Sequence, residues 1–170
     1  MTALTLTLIG RDRPGLVRAL SEKIAAVGGN WLESRMARLA GQFAGILQVD
    51  VPAAEVERLM ADLQTLEQEG LQATVVQGVG EDAPASHQTV LLELVGQDRP
   101  GIVREIAQAL AGRRVNIEEL TTRVVSGSFS GESLFEAEAR LRVPADVPAE
   151  EVRHLLEMLA NELMVDISLE

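Results

Sequence analysis

The stretch GRDRPGLV, Gly10–Val17, returns as GQDRPGIV at Gly96–Val103, and seven of the eleven positions from Gly10 to Leu20 are identical to those from Gly96 to Ile106. The surroundings repeat as well. Leu4, Leu6 and Leu8 precede the first copy, and Val90, Leu92 and Leu94 hold the same places before the second. Downstream, Asn30 and Glu33 match Asn116 and Glu119. Six extra residues then enter the second copy around GSFSGES, Gly127–Ser133, after which Val51-Pro52 matches Val143-Pro144. A repeat of about 85 residues is the size of a domain, not of a solenoid unit. The chain therefore reads as one unit written twice: a first domain over 1–77, a polar linker over 78–86 (GVGEDAPAS) and a second domain over 87–170.

Periodicity supplies the elements. Leu4, Leu6 and Leu8 alternate with Thr5 and Thr7, which predicts a strand. Leu16, Val17, Leu20, Ile24 and Val27 follow helical spacing, and Gly28-Gly29 is a stop signal. Asn30 to about Leu39 suits a strand; Phe43, Gly45, Leu47, Val49 and Val51 form a second period-2 run that Pro52 ends. Val56, Leu59, Met60, Leu63 and Leu66 make a helical stripe, and Leu71, Ala73 and Val75 close the unit as a strand. The second copy repeats this order, with Phe135 to Val143 alternating and Val152, Leu155, Leu156, Leu159 and Leu163 at helical spacing. The predicted fold is α+β, two ferredoxin-like βαββαβ units in tandem, each with two helices over one sheet face. Such sheets leave a face and edges over, so pairing of the copies and a homodimer are expected. Met60, Met158 and Met164 read as core fillers.

Composition excludes several classes of function. The 170 residues contain no Cys, which removes disulfides, thiolate catalysis and zinc–thiolate sites. Net charge is −11, and both halves are acidic, so direct binding to nucleic acid or to an anionic membrane is disfavoured. Four aromatic side chains (Trp31, Phe43, Phe129 and Phe135) do not build a base-stacking platform. No apolar run reaches the roughly 20 residues of a membrane span, and MTALTLTLIG reads as a strand rather than a signal peptide. A cytoplasmic protein is expected. His87 and His154 fit no metal spacing, and the Gly/Ser-rich loop Gly127–Ser133 lacks the Walker pattern; as the one clear insertion it is a candidate partner contact.

The repeated loop joins the first strand of each copy to its first helix. Pro14 suits the first helical turn, Asp12 the positive end of the helix dipole, and Gly15 the close approach of a backbone or ligand. Unpaired N–H groups there favour a carboxylate. A turn of this kind also has a purely structural use, as a helix start. What adds to it is Asn30 and Asn116, each 18 residues after the loop Asp and each opening the next strand. Read as lying beside the first strand, that strand returns the Asn to the loop and completes a place for a zwitterion. Asp takes the ammonium and the helix N–H groups take the carboxylate.

The pattern G-x-D-R-P-G-[LI]-V, then a helix, then Asn at a strand start, resembles the ACT domain, a small regulatory module that binds amino acids. Two such domains filling a chain resemble the glycine cleavage system transcriptional repressor family. The resemblance implies a ligand between paired domains, bound by Arg11, Asp12, Arg13, Pro14, Gly15 and Asn30 in the first copy. In the second it implies Gln97, Asp98, Arg99, Pro100, Gly101 and Asn116. It implies no cofactor and no metal. The partners it implies are a small amino acid, with glycine the leading candidate, and a transcription factor of glycine cleavage genes contacted through protein. The alternative is an amino-acid-sensing regulator of a metabolic enzyme or nitrogen-signalling protein. No G-x-S-x-G and no His–carboxylate constellation is present, so an enzyme is not expected.

Overall fold

The computed structural model describes residues 1–78, 86–127 and 131–170. The chain divides into two compact units, Met1–Asp82 and Ala83–Glu170. Most of the 78–86 linker and the centre of the Gly127–Ser133 insertion lie outside the described residues.

The first unit runs β1 (Thr2–Arg11), α1 (Leu16–Ala26), β2 (Asn30–Leu39), β3 (Gln42–Val51), a 3-10 turn at Ala53–Glu55, α2 (Val56–Gln68) and β4 (Leu71–Gln77). The second runs β5 (His87–Gln97), α3 (Ile102–Gly112), β6 (Asn116–Ser126), β7 (Ser133–Pro144), α4 (Ala149–Leu163) and β8 (Val165–Leu169). The sheets have the orders β2-β3-β1-β4 and β6-β7-β5-β8. Both are antiparallel at every pairing, and the βαββαβ pattern expected from the periods is present twice.

The alternation of each strand decides which face is buried. Leu4, Leu6 and Leu8 of β1 and Leu47, Val49 and Val51 of β3 lie under the helices at 1% exposure or less. α1 contributes Leu16, Leu20 and Ile24, and α2 contributes Val56, Leu59, Leu63 and Leu66. The second core repeats this with Leu92, Leu94, Leu141 and Val143 beneath α3 and α4. At about 25 cal/mol per Å² of apolar surface removed from water, these residues are the main favourable term in each half. Gly10 and Gly96 are fixed by contact, since a Cβ on Gly10 would overlap the backbone of Gly70, and one on Gly96 would overlap Val165.

The methionines correct the reading of the stripes. Met60 and Met158 are 43% and 49% exposed, and Met164, in left-handed conformation after α4, is 83% exposed. A stripe at helical spacing spans more of the helix than its sheet contact covers, so its margin stays in water.

The uncovered faces of the two sheets differ. Across the middle of the first, Thr7 pairs with Ile46 on one side and Thr74 on the other. In the second the same row is Glu138, Glu93 and Ser168, with Glu93 directly opposite Glu138. Ion pairs from Arg123 to Glu136 and from Arg140 to Glu119 flank that acidic row.

Candidate functional site

Each repeated loop is sewn to a neighbouring hairpin through its Asp backbone. The Asp12 N–H donates to the Gly41 carbonyl at 2.9 Å, and the Asp98 N–H to the Ser133 carbonyl at 2.9 Å. α1 begins at Leu16 with Gly15 as its N-cap at φ 92, and α3 begins at Ile102 with Gly101 at φ 94. This revises the reading of two residues in each loop. Pro14 and Pro100 stand in the turn before the cap, not in the first helical turn. A Cβ on Gly15 would meet nothing within 4 Å, so the glycine answers to a left-handed backbone and not to a close approach.

The Asp side chains do not occupy the helix N-cap positions, which are Gly15 and Gly101, three residues further on. Asp12 instead forms an ion pair with Arg38 of β2 at 2.8 Å. Val124 holds the place of Arg38 in the second copy, and among the described residues no cation pairs with Asp98. The loop arginines also diverge. Arg13 donates to the Glu69 carbonyl at 2.8 Å, whereas Arg99 grips the Glu105 carboxylate with two hydrogen bonds, 3.0 and 2.9 Å. That fork holds the Glu105 carboxyl below its ordinary range. Ala19 occupies the matching place in α1, so only the second copy carries this clamp.

Asn30 and Asn116 do not join the loops of their own domains. β2 pairs with β3, not β1: Asn30 lies opposite Asp50, and Asp50 opposite Ala3 at the start of β1. The loop leaves from Arg11, eight strand positions further on, which at roughly 3.3 Å per residue is about 26 Å away. Asn116, opposite Arg142, which pairs with Thr89, repeats the arrangement. The reason is the crossover. α1 carries the chain back to where β1 began, so a strand parallel to β1 must start at the end far from the loop. Asn116 lines an open cleft with His87, Arg114, Arg142, Pro144 and Asp146, where Arg114 and Asp146 pair at 2.6 Å. Arg11 borders a separate cleft with Gln42, Glu67 and Gln72.

The periods also missed an apolar cavity of about 20 Å³ under α3. It is lined by Leu94, Ile106, Leu110, Phe135, Ala137 and Ala139, with Val103, Leu120 and Thr122 where it approaches the surface. The sequence signal for it is substitution between copies. Trp31, Met36 and Leu47 of the first domain become Ile117, Thr122 and Ala139 in the second. Trp31 and Met36 pack against the first core, and Met36 lies so close over Gly45 that a Cβ there would overlap it. Among the described residues no group of three His, Asp or Glu side chains is placed to hold a metal, and no helix is long and apolar enough to cross a membrane.

With this geometry the comparisons with known proteins agree. The ACT domain matches residues 2–77 and again 90–149, and the chain belongs to the ACT-domain family, carrying two such domains in tandem. It is similar to the glycine cleavage system transcriptional repressor of Escherichia coli (strain K12), 21% identical over 161 residues that cover 94% of this chain and 85% of that protein. Among solved structures, a protein of unknown function from Galdieria sulphuraria superposes with a TM-score of 0.88 at 30% identity, covering 99% of this chain and 97% of that one. A crystal structure assigned to a glycine cleavage system transcriptional repressor superposes with a TM-score of 0.73 at 21% identity, covering 99% and 96%.

Proposed function

We propose that this chain is a non-enzymatic regulator that binds a small amino acid and acts on a transcription factor of glycine cleavage genes by protein–protein contact. The observation that carries the reading is the loop itself, built twice with an exposed Asp at a sheet end, in a chain made of two ACT domains. Similarity to a glycine cleavage repressor over 94% of the chain supports the regulatory direction. A net charge of −11 favours a protein partner over DNA. The cytoplasm is the compartment this reading requires.

The separation of loop and Asn sharpens the proposal. Asn30 and Asn116 therefore stand outside the loops of their own domains, and the amino acid is proposed to bind at the loops themselves, Arg11–Gly15 and Gln97–Gly101, in a protein expected to be a homodimer. Glycine has five heavy atoms, and at about 1.5 kcal/mol each its binding is limited to roughly −7.5 kcal/mol, a Kd of a few micromolar at best.

A calorimetric screen of the proteinogenic amino acids tests the sensor. One or two should bind, and Asp12→Ala with Asp98→Ala should abolish the heat; silence from every amino acid at millimolar concentration refutes it. Affinity capture from cell extract should recover a DNA-binding regulator. Recovery of a metabolic enzyme or a nitrogen-signalling protein would favour regulation in trans of that protein instead.

A further inference from the structure

We infer that the second domain, unlike the first, selects an amino acid with a short aliphatic side chain, which enters the apolar cavity between α3 and β6. This rests on the proposed amino-acid binding at the loops and adds the ligand's side chain to it.

Three observations place the cavity in the path of such a ligand. First, it approaches the surface at Val103, Leu120 and Thr122, and Val103 is the second residue of α3, immediately after the loop. Its lining residue Phe135 pairs directly with Gly96, where the loop departs. Second, Asp98 has no cation partner among the described residues, so its carboxylate remains for an ammonium group. The carboxylate of Asp12 is held by Arg38 in the first copy. Third, apart from Thr122 at the mouth, every lining side chain is hydrocarbon. A hydroxyl or charge carried past that mouth would lose its hydrogen bonds to water with nothing in exchange.

Size narrows the class further. A space of about 20 Å³ accommodates one or two methyl-sized groups, which matches the side chains of alanine and valine. The first domain carries the larger Trp31, Met36 and Leu47 at the corresponding positions, and Trp31 and Met36 pack against its core. On this assignment the two copies divide the amino acids by size.

Titration calorimetry of the full chain with glycine, alanine, valine and threonine tests this. Valine and threonine are nearly isosteric, and an apolar pocket separates such pairs by about 10- to 100-fold. Valine should bind more tightly by that factor. Ala139→Val fills the cavity from below, and Thr122→Met closes it from the surface with the residue the first copy uses. Each should lower valine affinity at least tenfold, with far-UV circular dichroism showing that the chain still folds. Equal binding of valine and threonine, or undiminished valine binding in both variants, overturns the assignment. If Asp98→Ala removes valine binding while both filling variants leave it intact, the loop reading stands and the cavity assignment falls. If no amino acid binds the unmodified chain, the loop reading fails and takes this one with it.

Discussion

The first ACT domain and the second share topology, loop and capping glycine, yet they differ where packing meets solvent. In the first, Leu47 is fully buried beside Trp31 and Met36, and on the outer face Thr7 lies between the uncharged Ile46 and Thr74. In the second, Ala139 and Thr122 border a cavity, and Glu93 faces Glu138. The comparison teaches that a fold is preserved by alternation, turn geometry and a few glycines. Interior volume and surface charge can drift, because neither enters the hydrogen-bonding pattern.

The largest effect expected from breaking this contrast is Leu47→Ala, which creates in the first domain the smaller residue of the second. It should cost about 2–5 kcal/mol, since a fully packed site cannot collapse around the void. Trp31 is the chain's single tryptophan and lies in the first domain, so its fluorescence during urea unfolding reads that loss. Gly15→Ala and Gly101→Ala attack what the domains share. With φ at 92 and 94, each should cost about 1–2 kcal/mol by forcing a Cβ into a left-handed conformation. Unequal costs in thermal melts would show that the loops are not equivalent.

Smaller gains are expected in the second domain. Ala139→Val should stabilise it by about 0.5 kcal/mol, following roughly 24 cal/mol per Å³ of cavity. A marked destabilisation would mean that the space is not available to a side chain. Glu93→Thr installs the residue of the first domain opposite Glu138. It should add about 0.2–1 kcal/mol by removing a like-charge cross-strand pair, an effect that high salt should erase.

Much of this was legible without coordinates. The periods of Leu4–Leu8, Leu16–Val27 and Phe43–Val51 identified elements because side-chain alternation follows from backbone geometry alone. The candidate site was only half legible. The motif located the loop, but Asn30 was read as its neighbour because sequence order does not say which strand lies beside which. The Arg38–Asp12 pair was equally hidden, since it joins a strand to a loop across a hairpin turn.

The sequence by itself determined the duplication, the element order and the residues that face each core, because these depend on local sterics and on the removal of apolar side chains from water. Only the tertiary structure decided that β3 lies between β1 and β2, that Asn and loop occupy opposite sheet ends, and that the second core keeps a cavity. Those facts depend on a crossover and on the summed volumes of side chains distant in the chain, and no local pattern encodes either.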